Sequence, residues 1–320
     1  MSAVNVSEIK PAVAVHNLVK RFGNFTAVDN ITFDVPKGEV FGFLGSNGSG
    51  KSTTIRMLCG LLLPTSGAGS VAGFDILRQS DSIKARIGYM SQKFSLYEDL
   101  TVVENIEFYG EIYGVTGARL RERKEWVLEM ANLSERAYSM TGELAVGWKQ
   151  RLALGCAMVH EPEILFLDEP TGGVDPASRR NFWELIYSAA GQGVTVFVTT
   201  HYMDEAEHCD RLGLIDAGRL VAIGSPQELK EQYVAGVLLE VVAEPIMTAF
   251  DALMAIPFAR EVTIFGAALH IVVDGLEVIP QVKEALEIAN VSVKRIEPIA
   301  PSLEDVFVAH IERGRVQGDQ

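Results

Sequence analysis

A chain of 320 residues, 48% hydrophobic and 22% charged, has apolar material for one large domain or two and is not a disordered polymer. Its 28 basic residues are outnumbered by 42 acidic ones, and the formal charge of −14 excludes the basic surface that nucleic-acid binding requires and disfavours unaided adsorption to anionic lipid. No apolar run reaches the roughly 18–20 residues of a membrane span, the greasiest (234–243) being broken by Glu240.

Residues 1–10 read as a loose lead-in with neither a basic start nor an apolar segment, so no secretory leader is expected. Short apolar runs at 12–19, 31–35 and 39–44 predict strands, the third bounded by Pro36-Lys37-Gly38. Directly after it comes Gly45-Ser46-Asn47-Gly48-Ser49-Gly50-Lys51-Ser52, then a helical pattern at 53–59. This fits GxxxxGK[ST] in its required strand–loop–helix context. Glycines permit a backbone that closes around an anion, and successive N–H groups with the helix N-terminus point at phosphates. Lys51 adds a point charge, and Ser52 offers a hydroxyl to Mg²⁺. GxGxxG is absent, since Thr53 stands where its third glycine would fall.

Further on, 87–91 is apolar, and 101–113 and 120–133 are amphipathic helical patterns with no strand between them, which predicts a helical insert at about 94–160. The uninterrupted apolar run 164–167 reads as a strand covered on both faces and ends in Asp168-Glu169. Carboxylates at that end lie where parallel sheets bind ligands: Asp168 to hold a metal through water, Glu169 to orient or deprotonate the attacking water. Asp175 before Pro176 is an N-cap for a helix over 176–190, followed by a strand over 194–200 and His201. Strands alternating with helices predict an α/β layered fold with parallel pairing. His201, Glu205 and His208, with Cys209, fall near one helical face and suggest a metal site, but a polar helix surface is the preferred reading. Cys59, Cys156 and Cys209 form no CxxC pair and read as buried free thiols of a reduced compartment.

Composition shifts near 232. Beyond it, strand 237–242, helix 246–255, a hairpin turning at Gly266-Ala267, helix 276–289 and strand 291–298 give the βαββαβ order of a ferredoxin-like domain. A last helix over 302–313 opens with a capping box at Ser302 and Asp305, and 314–320 is a tail. The domains expected are thus 11–232, a P-loop core with a helical insert, and 233–313, a small α+β domain.

The phosphate loop, Gln92, the run 144–151, the run 167–171, Asp175 and His201 stand in the order and spacing of ABC-type ATPase domains, which the chain resembles over roughly 12–229. The resemblance implies ATP and Mg²⁺ as ligands, with ATP hydrolysis coupled to transport. Phe22 would stack on adenine, ordinary core being its alternative. Gln92 would sense Mg²⁺ and contact the membrane partner, unless it is a solvated loop residue. Asp175 would belong to a loop crossing to a partner ATPase, and His201 would contact the γ-phosphate. The family's Leu-Ser-Gly-Gly-Gln segment is here Leu144-Ala145-Val146-Gly147-Trp148. In the family it faces ATP on the other subunit; Ala145 has no hydroxyl to donate, while the backbone at Gly147 does not depend on a side chain. The resemblance further implies a second ATPase chain, like or unlike this one, and a place on the cytoplasmic face of the cell membrane beside separate permease subunits. Residues 97–114 would be the docking face. The stretch 301–307 resembles the end of ATPase subunits from ABC-2-type exporters. The alternatives are a soluble ABC ATPase of translation or DNA maintenance and a low-turnover regulatory subunit.

Overall fold

The computed structural model describes residues 10–233 and 236–309. Residues 1–9 of the expected lead-in, the tail 314–320 and the end of the helix expected over 302–313 lie outside the described residues. The chain divides into two compact units, one ending at Ile223 and the other beginning at Gly224.

In the first unit β1 (Val13–Phe22) turns at Gly23-Asn24 into β2 (Phe25–Val35), and β3 (Val40–Leu44) leads to α1 (Lys51–Leu58). β4 (Ser66–Val71), β5 (Phe74–Asp75), α2 (Ser80–Lys84) and β6 (Ile87–Met90) follow. Then come α3 (Val102–Ile112), α4 (Gly117–Met130) and α5 (Val146–Met158), with no strand among them. β7 (Ile164–Asp168), α6 (Pro176–Gly191), β8 (Thr195–Thr200), the short α7 (Met203–Ala206), β9 (Arg211–Asp216) and β10 (Arg219–Gly224) complete the series.

Two sheets result. One is antiparallel, in the order β2-β1-β4-β5. The other runs β10-β9-β3-β8-β7-β6, with β9, β3, β8, β7 and β6 parallel. β3, β7 and β8 are buried at every residue, as strands covered on both faces are. The register pairs Leu44 with Thr200 and Asp168 with Thr199, so three strand ends that carry the site are neighbours. Beneath them Phe41, Phe43 and Phe197 pack with ring centres 5.3 to 6.4 Å apart. The helical insert has its own core of Val102, Ile106, Val127, Leu152 and Cys156, and α3 starts with a capping box between Thr101 and Glu104. All three cysteines are free and buried.

The antiparallel sheet is larger than the strand signals suggested. β4 reads Ser-Gly-Ala-Gly-Ser-Val, with no alternation of large apolar residues. It is a strand because β1 pairs with it closely: a Cβ at Gly67 would lie 2.3 Å from the Asn17 carbonyl.

The second unit contains α8 (Pro226–Tyr233), β11 (Val237–Glu244), α9 (Ile246–Met254), β12 (Glu261–Phe265), β13 (Ala268–Val273), α10 (Ile279–Ile288) and β14 (Ser292–Ile299), with residues 303–309 helical. The sheet order is β12-β13-β11-β14 with every pair antiparallel, the arrangement that βαββαβ chain order produces. Leu239, Val241, Leu269 and Ile271 pack with Leu253 of α9 and Leu286 of α10. Ser302 and Asp305 form the capping box, and the His270 ring lies 2.5 Å from Asp305 Oδ1. The break between units precedes α8, whereas the sequence suggested 232/233. α8 is polar and is followed by the apolar strand β11, so composition changes after this helix and compactness before it.

Candidate functional site

The loop between β3 and α1 turns through left-handed φ at Gly48 (83°) and Gly50 (109°). A Cβ at Gly45 would lie 2.3 Å from the Ile215 carbonyl, and one at Gly50 would lie 2.5 Å from that of Ala27. Gly50 is the N-cap of α1, with no side chain to occupy the first N–H groups of the helix, which stay available to an anion. Ser46, Asn47 and Gly48 are exposed, Ser49 and Lys51 buried, Ser52 and Thr53 half-buried. Lys51 Nζ donates to the carbonyls of Gly45 (2.8 Å) and Ser46 (3.0 Å).

Asp168, at the end of β7, meets this loop directly. Ser52 Oγ donates to Asp168 Oδ1 at 2.9 Å, and Thr199 Oγ1 donates to the same oxygen at 2.8 Å. Glu169 follows with φ of +48°, a left-handed backbone held by its own N–H, which donates to Thr199 Oγ1 at 3.0 Å. Its buried carboxylate draws in one residue from the start of α1 and two from loops. Lys51 Nζ is 3.4 Å from Oε1, Gln92 Nε2 donates to Oε2 at 3.0 Å, and His201 Nδ1 is 3.3 Å from Oε2. Residues from four separate stretches of sequence therefore share one strand-end cluster: Lys51, Ser52, Gln92, Asp168, Glu169 and His201. Gln92 is an exposed loop residue whose amide is nevertheless tied to Glu169.

Asp175 accepts from the backbone N–H of Ala177 and of Ser178, each at 3.0 Å, and caps α6 ahead of Pro176. The Ser178 hydroxyl first, then the Ser178 and Ala177 amides, hold its carboxyl below the ordinary aspartate range. Ala145 is the N-cap of α5 and makes no side-chain cap bond, and Val146 beside it is exposed. At Gly147 a Cβ would lie 2.9 Å from Ser178 Oγ. Ala145, Val146, Gly147, Asp175 and Ser178 line a cavity of about 350 Å³ whose wall contains no phosphate-loop residue. Behind it Gln150 Nε2 donates to the Pro170 carbonyl at 2.8 Å, tying α5 to the loop after Glu169.

Phe22 ends β1 and is 49% exposed, with Lys20 Nζ 5.0 Å from the ring centre, so it is not a core residue. The face imagined for His201, Glu205, His208 and Cys209 does not exist. α7 covers only Met203–Ala206, His201 precedes it, and His208 and Cys209 follow it. Glu205 is buried, which corrects the expectation of a polar helix surface there, while Cys209 is the buried thiol expected. Among the described residues no three His, Cys, Asp or Glu side chains are placed to hold a metal ion. Thr199 and Ser178 were not read from the sequence as members of this region, and Glu205 was read only as a member of the helical face with His201 and His208. A hydroxyl at a strand end or a lone acid in a short helix carries no motif.

Residues 28–172 match the family model described as ABC transporter, and residues 224–311 match the C-terminal domain of DrrA1-3-like ATP-binding proteins. The linearmycin resistance ATP-binding protein LnrL of Bacillus subtilis (strain 168) is 35% identical over 297 residues, which are 91% of this chain and 96% of that protein. The chain belongs to the ATP-binding proteins of ABC transporters. This family hydrolyses ATP to power transport. The probable multidrug ABC transporter ATP-binding protein YbhF of Escherichia coli (strain K12) is 52% identical over 220 residues, 69% of this chain. Those residues are 38% of YbhF, so the chain spans well under half of that relative. A solved structure described as the ATP binding subunit of an ABC transporter superposes with a TM-score of 0.64 at 29% identity, covering 69% of this chain and 93% of that one.

Proposed function

We propose that this chain binds ATP with Mg²⁺ in the 45–53 loop and hydrolyses it at Glu169 to drive export through separate ABC-2-type membrane subunits. The Ser52–Asp168 hydrogen bond carries this reading most directly, because it joins the phosphate loop to the strand end that bears Glu169. The unit ending at Ile223 would form the ATP-binding domain, and the unit beginning at Gly224 an accessory domain.

Loop amides from Gly45 to Thr53 and Lys51 bind the phosphates, and Phe22 stacks on adenine. The Ser52 hydroxyl, the Asp168 carboxylate and the Gln92 amide are hard oxygen donors on one side of the loop, which suits Mg²⁺. Bound there, the ion would neutralise charge on the β- and γ-phosphates. Lys51 now lies against Glu169 and two loop carbonyls, and transfer of its charge to phosphate frees the carboxylate. Glu169 then orients and deprotonates the attacking water, with His201 beside it to steady the γ-phosphate.

The open cavity at Ala145, Gly147 and Asp175 supports completion by a second ATPase chain, since the amides of a bare helix N-terminus suit a phosphate and the cavity has no phosphate loop of its own. Another cavity, of about 460 Å³, is lined by Leu61, Ile87, Tyr89, Ile112 and Tyr113, with Leu61 and Ile112 exposed. Its apolar wall at the end of α3 suits the docking of a membrane subunit on the cytoplasmic face. Among the described residues no helix is long and apolar enough to cross a membrane. The multidrug and linearmycin resistance relatives favour a drug-like cargo.

Purified chain with Mg-ATP tests the reading: hydrolysis in the wild type and its loss in Lys51→Ala are expected, and indifference to ATP overturns it. Ala145 favours a second reading, a subunit with little turnover, which a measured turnover number decides.

A further inference from the structure

Glu205 is a carboxylate at 1% exposure that no role above requires. Burial raises its pKa above the ordinary range, while its partners oppose that rise. Oε1 accepts the hydroxyl of Thr171, and Oε2 accepts that of Thr200 at 2.7 Å. Arg179 Nε lies 3.3 Å from Oε1, and Arg179 Nη1 donates to the neighbouring Asp204 at 3.0 Å. The same guanidinium sits 4.3 Å over the ring of Tyr202.

These partners belong to three different segments. Thr171 is two residues past Glu169. Thr200 directly precedes His201, and its Oγ1 also accepts the N–H of Tyr202 at 2.9 Å. Arg179 is one turn into α6, where its N–H donates to the carbonyl of Asp175 at 2.9 Å. Glu169 and His201, on two of these segments, approach to 3.3 Å. None of the three segments can shift alone without taking a partner away from a buried charge, an arrangement that holds together or loosens as a whole.

We propose that Glu205 is a positioning residue that locks the Glu169 loop, the His201 strand end and the Asp175 helix into one unit, so that movement of His201 or Asp175 is transmitted to Glu169. The inference rests on the reading of Glu169 and His201 as the hydrolytic pair. It assigns Glu205 no contact with nucleotide.

The test uses the full chain carrying Glu205→Gln, which keeps the shape but turns an amide nitrogen toward a hydroxyl or toward Arg179. Hydrogen exchange without nucleotide is expected to quicken together in 169–175 and 200–204. With Mg-ATP, kcat is expected to fall about tenfold or more while KM stays within about twofold, since the phosphate loop is untouched. Thr200→Val should repeat this split, and Thr200→Ser should recover most of the kcat lost in Thr200→Val. Unchanged exchange in Glu205→Gln overturns the proposal, and so does faster exchange with unchanged kcat. Should Glu205→Gln fail to fold, Thr200→Val gives both readouts. A wild type inert toward ATP removes the proposed function, while the exchange comparison still decides whether Glu205 locks the segments.

Discussion

The phosphate-loop side of the site and the α5 side are built in opposite ways. On the first, Lys51, Ser52, Gln92, Asp168, Glu169, Thr199 and His201 interlock within one chain, so each side chain is placed by another. On the second, α5 presents an uncapped N-terminus, an exposed Val146 and a glycine against Ser178, and Gln150 ties it from behind to the loop after Glu169. Fixed charge and the side chains proposed for hydrolysis sit on the self-sufficient side. The open side offers backbone amides, which survive any side-chain substitution at 145. Divergence at 144–148 is therefore compatible with a working ATPase in a way that divergence at 51 or 169 is not.

The sharpest way to break this contrast is to attack the interlocked side. Glu169→Gln and Lys51→Ala should each lower turnover about a hundredfold or more, measured as phosphate release from Mg-ATP. Undiminished turnover in Glu169→Gln would remove that residue as the base.

Attack on the open side should work in the other direction. Ala145→Ser with Val146→Gly should raise turnover, or ATP-driven association of two chains, about tenfold, the worth of one hydroxyl bond to a charged group. Ala145 is also a helix N-cap, so serine there should stabilise the fold by about 1 kcal/mol without any nucleotide. Melting curves separate the two effects. Raised stability with unchanged turnover would show that the amides alone suffice.

A smaller effect comes from the far end of α5. His160 stacks on Tyr113 with ring centres 3.7 Å apart and hydrogen-bonds the Ile87 carbonyl, and burial lowers its pKa to about 4. A histidine whose folded pKa is depressed resists protonation that the unfolded chain accepts. Stability should therefore fall as pH drops from about 6.5 toward about 4. His160→Phe, which keeps the stacked ring, should flatten that slope in denaturant titrations at a series of pH values.

The smallest belongs to Asp175. Its lowered pKa means a contribution present at neutral pH and lost as pH falls through the carboxylate range. Asp175→Ala should lower the melting temperature at pH 7 and make little difference near pH 3.

The legible part of the molecule was the part written contiguously. Residues 45–52 announce strand, anion loop and helix in one stretch, and the order of elements beyond 236 is a chain of clean alternations. Tertiary pairing hid the rest. β4 has no strand signal apart from its fit against β1. Glu205 was misread because helical spacing was carried past Ala206, where the helix stops, and a buried carboxylate shared by two threonines has no periodicity to betray it. Phe22 could not be told from core, because exposure at the end of an edge hairpin is set by what fails to cover it. The boundary before α8 was missed for a related reason: a polar helix can belong to either neighbour, and only contacts decide.

The left-handed backbone at 169 constrains how a duplicated copy of this chain could decay into a silent one. Asparagine, aspartate and glycine tolerate that conformation, while valine and isoleucine oppose it. A copy losing its activity would keep its shape along the first route and lose both together along the second. Degenerate paralogues that still assemble should therefore carry small polar residues or glycine at this position.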